Sequence, residues 1–546
     1  MKQFIFLIFI ITIIFSCSNI KKNGFLKTET PNLYDIDYDS FYSDFKENED
    51  IVFSFVEKPQ FFNPYRVSNK VENFVRNALF STLFYLNPKD NTPKENIIKK
   101  FDVSSDRLTY IFTILPDVRF SDGQLLTTAD VVSSLSLVKT ILKDSNYYKG
   151  FFLNNTNLNF EIISPVKFNL ILDKPNENIL YMLSIFPIIK KETADLISLD
   201  VEKFISIWND PKYLIGTGPY VLNKYNDSIL NLEKNKFYFK KDKNNRQLPY
   251  TNKISINITE NSNLEIIDFI NNGSDIMELS TKDFNTLYEY YAKDDKIKFV
   301  DAGFDSKKCF LVYNTLKTYL KDKNLREYIV NSILTDFNNN NYTLSLSIFK
   351  FNNKLKTSDY TFYDSNNDGV IEGKDKNPIV LNLIAPEENG ELVNNQDEIS
   401  KILQKQKISI KAEVFPYYKY LEKLFYKKDF DIALVSYDFD FSLVQANNLI
   451  NDSNFNFFQF SENEEVKNKI LSLYNTTILQ KDYQKQQQNL SEIADLIEQD
   501  FQLSPVLIKK IYYIMNNDIF NLKINNYSQK EINLTTLEHI VKIVKK

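Results

Sequence analysis

The chain has 546 residues, which is too long for one hydrophobic core, so we expect two or three domains. Its 43% hydrophobic and 25% charged residues are typical of a globular protein, and the net charge of −5 gives no electrostatic basis for binding nucleic acid. One histidine and two cysteines cannot build a histidine zinc cluster and offer no partner motif for a nucleophile, so the composition disfavours an enzyme.

The N-terminal residues have the pattern of a signal peptide. One charged side chain, Lys2, precedes the apolar run Phe4–Phe15, which is too short to span a membrane. The run leads to Cys17, and a cysteine directly after a small residue at this point resembles the bacterial lipoprotein cleavage site. We expect a signal peptide at 1–16, a lipid on Cys17 and a flexible tether at 17–50. An ordinary signal peptide or an uncleaved anchor with an incidental cysteine is the alternative.

The first half of the folded chain is predicted to mix strands and helices. Ile51–Val56 is predicted as a strand, Val71–Leu83 as a helix, and Leu108–Leu115, apolar at every second position, as a half-buried strand. Thr127, with Asp130 three residues later, predicts the start of another helix, because these side chains can bond to the free N–H groups of its first turn. The pattern indicates an α/β fold and no particular function.

The run Gly-Thr-Gly-Pro-Tyr at residues 216–220 is the second distinctive segment. Its glycines and proline predict an irregular turn that leads into a strand. Nothing after it has the pattern of a phosphate-binding helix, so these glycines do not indicate a nucleotide site. A strand at Ile254–Ile258 and a helix at Leu264–Ile270 are predicted next.

The loop at residues 364–375 has two interpretations. Its spacing fits a calcium loop, with the candidate ligands Asp364, Asn366, Asp368 and Asp375. A plain turn before the strand Pro378–Ile384 accounts for the same residues, since the last position is not glutamate. Apart from this loop, we expect no metal site and no cofactor.

The apolar run Ile432–Val435 does not alternate, which predicts a strand buried on both faces. In open α/β sheets, the carboxyl ends of such strands face the crevice that binds the ligand. The candidate ligand-binding residues therefore follow this run: Ser436, Tyr437, Phe439, Asp440 and Phe441. The alternative is that Asp438 and Asp440 only cap a strand end at the surface.

These motifs, in this order, resemble the family 5 extracellular solute-binding proteins, the receptors of oligopeptide, dipeptide and nickel importers. The resemblance spans Ile51 to Met515 and is most specific at residues 108–131 and 216–220. It implies an α/β fold like that of the type II periplasmic binding proteins, with two lobes joined by two crossings, around Cys309 and around Pro505, and an extra subdomain inserted in lobe one. The expected boundaries are 51–85, 214–308 and 507–546 for lobe one, 86–213 for the inserted subdomain and 309–506 for lobe two.

The resemblance also implies a function, that of a substrate-binding lipoprotein of an ABC importer. A peptide would lie between the lobes, with Asp440 pairing with its α-ammonium and Tyr437 and Phe441 forming the aromatic wall. The implied partners are a permease with a separate ATPase, and the implied location is the periplasm or the cell surface of a bacterium, as a lipid-anchored monomer.

Two other functions stay open. The same fold could bind a non-peptide solute, such as a nickel chelate or a sugar, and such a ligand would leave Asp440 without an ammonium to bind. The chain could also be a surface adhesion or signalling lipoprotein that retains only the shape. A hydrolase is the least favoured class, because the chain lacks a nucleophile motif.

Overall fold

The computed structural model describes most of the chain, with gaps. The described residues are 26–27, 50–60, 62–66, 69–87, 92–142, 158–176, 179–200, 203–337, 343–344, 370–373, 376–387, 389–438, 446, 450, 457–461, 463–478, 480, 483–500, 503–522, 532 and 534–542.

The described strands and helices alternate along much of the chain. The strands are β1 (Leu26–Lys27), β2 (Ile51–Phe55), β3 (Phe84–Leu86), β4 (Pro93–Glu95), β5 (Ile98–Val103), β6 (Thr109–Ile114), β7 (Asn159–Ser164), β8 (Lys167–Ile171), β9 (Tyr220–Tyr225), β10 (Ile229–Lys234), β11 (Lys253–Ile258), β12 (Ile276–Leu279), β13 (Ile297–Tyr313), β14 (Thr343–Leu344), β15 (Val380–Pro386), β16 (Ser409–Phe415), β17 (Ile432–Asp438), β18 (Leu503–Asn516), β19 (Ile519–Phe520) and β20 (Val541–Lys542). The helices are α1 (Lys70–Leu79), α2 (Thr128–Leu142), α3 (Ile179–Met182), α4 (Lys191–Leu199), α5 (Lys203–Ser206), α6 (Ser262–Ile270), α7 (Thr281–Tyr291), α8 (Lys323–Asp336), α9 (Gly390–Lys405), α10 (Tyr417–Leu421), α11 (Glu464–Thr477), α12 (Tyr483–Asp500) and α13 (Leu534–His539).

Two long strands join the lobes within one large sheet. Its described strands follow the order β16-β15-β17-β13-β18-β12-β2-β11-β10-β9, with β1 also paired to β13 and β14 to β18. The first half of β13 lies in lobe one, where Val300 pairs with Tyr513, and its second half lies in lobe two, where Phe310 pairs with both Pro505 and Val435. β13 and β18 are therefore the two predicted crossings.

The second half of β13 is buried on both faces. Cys309 and Leu311 pack in the core beside α8 and α9, whereas Phe310 and Val312 pack in the core beside α11 and α12. Successive side chains of a strand point to opposite faces, so an apolar run without alternation suits a strand between two cores. Burial also raises the pKa of the Cys309 thiol, which fits a packing role.

The inserted part of lobe one carries its own small sheet, β5-β6-β8-β7. As the alternation predicts, Tyr110, Phe112 and Ile114 of β6 are buried, and they belong to the same core as β2 and α1. The start of α2 is also as predicted, since the backbone N–H and the Oγ1 of Thr127 bond to Asp130 Oδ2 at 2.8 and 2.9 Å.

The glycines of the second sequence motif lie where the chain passes against the end of α1. A Cβ atom on Gly216 or Gly218 would overlap the backbone of Leu79, and the Gly218 N–H donates to the Leu79 carbonyl at 2.9 Å. Close backbone packing therefore requires these glycines, and no ligand is needed to explain them.

One helix is shorter than predicted, and another continues into a π-helical turn. α1 ends at Leu79, because Phe80 adopts an extended backbone, although the predicted inward residue Leu83 is still buried. α10 ends at Leu421, and a π-helical turn, Glu422–Lys427, continues it. Within the described residues, no helix combines the length and the apolar composition needed to cross a membrane.

Candidate functional site

The strands of the two lobes point their carboxyl ends toward each other. β2 is parallel to β12, and β12 is antiparallel to β18, which is antiparallel to β13. β2 and β12 therefore run with β13, toward lobe two. β17 is antiparallel to β13, and β15 and β16 run parallel to β17, so these three strands run toward lobe one. Since ligands of open α/β sheets bind at carboxyl ends, the crevice between the lobes is the candidate site.

The pairing of β13 with β18 is interrupted between the lobes. Phe304 pairs with Lys510 and Lys308 with Ile508, so three residues of β13 oppose one of β18. Charged side chains flank this irregularity. Lys510 Nζ lies 2.8 Å from Asp301 Oδ2, and Lys509 forms an ion pair with Glu391 at the start of α9 in lobe two. The crossing point, residues 304–308 of β13 and 508–510 of β18, thus has an irregular backbone and ion pairs with both lobes.

In lobe one, an ion pair lies at the carboxyl end of β12. Lys70 Nζ is 2.6 Å from both Oε1 and Oε2 of Glu278, and Tyr513 Oη donates to Glu278 Oε2 at 3.4 Å. Burial alone would lower the pKa of the Lys70 ammonium, but the attraction of Glu278 and of Asp305 raises it above its ordinary value.

Glu265, in the first turn of α6, is a second charged group in this wall. Glu265 is only 5% exposed to solvent. Among the described residues, none donates a hydrogen bond to its carboxyl. Burial raises the pKa of Glu265 to about 8, Glu278 raises it further, and Lys70 opposes the rise.

In lobe two, Lys308 lies on β13 and interacts with Glu498 of α12. The residue is 6% exposed, and β13 places it directly opposite Tyr437 of β17. Burial lowers the pKa of Lys308 to about 8, and the attraction of Glu498 only partly opposes that effect.

A small cavity adjoins the Lys70–Glu278 pair. It is partly open to solvent and has room for about one water molecule. Its lining residues are Phe55, Lys70, Asn73, Phe74, Tyr513 and Ile532. Lys70 and Tyr513, which both contact Glu278, therefore also face this cavity.

Part of the predicted binding segment is placed by the structure. Ser436 and Tyr437 pair with Cys309 and Lys308 at the carboxyl end of β17, beside the crossing point, and Ser436 is partly exposed. Phe439, Asp440 and Phe441 lie outside the described residues, as do Cys17 and the four candidate calcium ligands. The roles assigned to these residues stay predictions. Within the described ranges, no cluster of three acidic, histidine or cysteine side chains could hold a metal ion.

Sequence patterns did not predict four charged residues near the site, Lys70, Glu265, Glu278 and Lys308. They come from separate parts of the chain, and only the fold brings the first three together. A signal existed for Glu278 and Lys308, since each is a charged residue within or beside an apolar strand run. Glu265 has no such signal, because acidic residues are common in the first turn of a helix.

Comparison with known proteins identifies the family. The family profile of the bacterial extracellular solute-binding proteins, family 5 (Middle), matches residues 92–447. The chain belongs to this family. Family 5 is a family of solute-binding receptors and not of enzymes. A probable ABC transporter-binding protein of Deinococcus radiodurans is 21% identical to this family 5 protein over 399 residues, which are 64% of this chain and 66% of that protein. The match thus spans just under two thirds of that relative.

Solved structures show the same fold. NikA from Brucella suis, in complex with Fe(III)-EDTA, has a TM-score of 0.71 at 16% identity, covering 90% of this chain and 100% of NikA. The oligopeptide-binding protein AppA from Bacillus subtilis, in complex with a nonapeptide, has a TM-score of 0.65 at 16% identity, covering 91% of this chain and 99% of AppA. The predicted fold class, two lobes joined by two crossings, is confirmed.

Proposed function

We propose that this family 5 protein is the receptor of an ABC importer and that it binds peptides in the crevice between its lobes. The observation that carries this proposal is the arrangement of the strands. The carboxyl ends of β2 and β12 face those of β15, β16 and β17 across the two crossing strands. A ligand held there contacts both lobes only when they close, so binding favours the closed state.

The carboxyl end of β17 supplies the proposed contacts in lobe two. An extended peptide that pairs with the backbone at Ser436 and Tyr437 would gain affinity that does not depend on its sequence. Phe439 and Phe441 would pack against its side chains. Asp440 would accept the α-ammonium in a charge-assisted bond, which strengthens as closure expels water.

Delivery completes the proposed function. The closed receptor would dock on a membrane permease that a separate ATPase drives, and a lipid on Cys17 would hold the receptor, as a monomer, at the membrane surface. The proposed domain boundaries are those predicted from the sequence, with the crossings within β13 and β18.

A substitution in the binding segment tests the peptide-binding role. Asp440→Asn removes the proposed partner of the ammonium while keeping the size of the side chain. We expect it to weaken binding of a mixed tetrapeptide pool by at least about tenfold, measured by calorimetry on the full chain.

Asp438→Asn is the matched control, two residues away on the same segment, and should bind nearly as well as the unaltered protein. Equal binding by both variants and the unaltered protein would remove Asp440 from the site. Absence of binding by every peptide would contradict the peptide-binding function itself.

A metal chelate is the second candidate ligand, because the similar NikA structure holds Fe(III)-EDTA. Titration of the same protein with Fe(III)-EDTA and with Ni(L-His) separates the two functions. Tight binding of a chelate, with no binding of peptides, would favour this alternative.

A further inference from the structure

The lobe-one wall of the crevice contains more carboxyl groups than ammonium groups. The acidic residues that interact electrostatically with Lys70 or Glu265 include Glu57, Asp268, Glu278, Asp283 and Asp305. Part of this excess of acidic residues is explained by helix N-termini, because α1, α6 and α7 each begin after the carboxyl end of a strand. Their N-termini carry partial positive charge and favour carboxylates.

Several of these carboxylates have a local partner. Glu57 Oε2 accepts from the Lys70 N–H at 2.7 Å, and both oxygens of Glu278 accept from Lys70 Nζ. Asp283 Oδ2 accepts from Ser280 Oγ at 2.7 Å, and Asp268 Oδ2 from Asn257 Nδ2 at 3.1 Å. These bonds cap helices or join neighbouring elements, so these residues need no ligand to account for them.

Glu265 differs from them in two respects. It is 95% buried, and no described residue donates a hydrogen bond to its carboxyl. A carboxyl that is mostly removed from water and has no donor in the protein is costly to ionise. The charged groups that act on it are Glu278 of β12, Lys70 of α1, Asp283 of α7 and Asp268 of its own helix.

Glu265 also lies at the end of lobe one that faces lobe two. β11 is parallel to β2, so the helix that follows β11 begins at the edge of the crevice. Lys70, whose charge acts on Glu265, also lines the small cavity beside Tyr513. Lys70 already neutralises Glu278, which leaves the carboxyl of Glu265 as the acceptor for a cation from outside the chain.

We propose that Glu265 forms a subsite for a positively charged side chain of the bound peptide, an ammonium or a guanidinium. The subsite rests on the proposed peptide-binding function and extends it, because it makes the receptor selective for basic peptides. The ammonium of the ligand would replace the proton that Glu265 carries in the empty protein, and that proton would pass to the buffer. Binding of the ligand at this subsite forms and breaks no other covalent bond.

Two matched sets of peptides test the selectivity. Tetra-alanine peptides with one lysine at each of the four positions are compared, by calorimetry on the full chain, with the same peptides in which the lysine is Nε-acetylated. We expect the unaltered protein to bind at least one lysine peptide about tenfold more tightly than its acetylated form. Glu265→Gln should remove that preference and leave the affinity for the acetylated peptide nearly unchanged.

The matched control is Glu161→Gln, an exposed position in β7 of the small sheet, which should keep the full preference. A second readout, on the unaltered protein, measures proton release by repeating the titration in buffers of different ionisation enthalpy. We expect lysine peptides to release a proton at pH 7 and acetylated peptides to release none. This readout decides the matter if the Glu265→Gln variant does not fold.

Three results would overturn the subsite. They are equal affinity for lysine and acetyl-lysine peptides, an undiminished preference in Glu265→Gln, and binding of lysine peptides without proton release. Each of them leaves the peptide-binding function intact, because peptides still bind. Failure of every peptide to bind would overturn the function and the subsite together.

Discussion

Two lysines, one in the wall of lobe one and one in the lobe-two half of β13, show how differently the two lobes stabilise charge. Lys70 of lobe one lies 2.6 Å from a carboxylate that holds it with both oxygens, and its pKa is raised. Lys308, on the lobe-two half of β13, is more deeply buried than Lys70, and burial outweighs the attraction of Glu498 and lowers the pKa of Lys308 to about 8. A close carboxylate thus reverses the effect of burial on an ammonium.

The two lysines therefore have opposite effects on the stability of the fold. The Lys70–Glu278 pair joins the start of α1 to the end of β12 and so stabilises the wall of lobe one. Lys308 costs folding free energy at neutral pH, because its charged form is disfavoured where the fold places it. A costly charge beside the predicted binding segment fits a crevice that meets a ligand.

Replacing each lysine in turn should have the largest effect and tests whether the two contribute differently to stability. Lys70→Met leaves Glu278 without its ion-pair partner, and we expect the free energy of unfolding to fall by about 2 kcal/mol. This is less than the loss for a fully buried pair, because both side chains are about a quarter exposed. Lys308→Met, the matched control, should change the free energy of unfolding by less than about 1 kcal/mol, because it removes a charge that burial already disfavours. Urea unfolding at pH 7 measures both, and equal losses would contradict the distinction.

A smaller effect is expected from pH, through Glu265. Its pKa of about 8 in the folded state lies above the ordinary value of 4.5, so the folded state binds more protons between those two values. Stability contributed by the protonated carboxyl is therefore present below about pH 4.5 and is lost as pH rises toward 8, at up to about 1.4 kcal/mol for each pH unit.

Glu265→Gln should flatten this slope, because its neutral amide does not titrate. Urea unfolding between pH 5 and 8 measures the slope for both proteins. If both have the same slope over that range, Glu265 does not carry the proton that the account assigns to it.

The sequence predicted the fold well where the pattern is local. The alternation in β6, the Thr127–Asp130 cap of α2 and the non-alternating run in β17 each correspond to the expected element. The lengths of β13 and α1 were harder to predict. β13 extends back to Ile297 through charged residues that pair with β18, and α1 stops where Phe80 turns into an extended backbone. Contacts between distant segments determine where β13 begins and α1 ends, and the local sequence pattern carries no information about such contacts.

The residues of the candidate site also fall into those that a local sequence pattern predicts and those that it does not. Ser436 and Tyr437 were predicted because they follow a recognisable buried strand. The Lys70–Glu278 pair joins residues 208 positions apart, and neither residue has local features that indicate the other. Only the topology, which brings the carboxyl ends of β2 and β12 together, makes them neighbours.

The crystal structure of the full chain with the solute that co-purifies with it, identified by mass spectrometry, is the most direct test of the central claim. We expect a peptide in the crevice, in contact with the carboxyl end of β17 in lobe two and with the α6–β12 wall in lobe one. A solute bound outside the crevice, or a crevice filled by side chains of the closed lobes, would contradict the account.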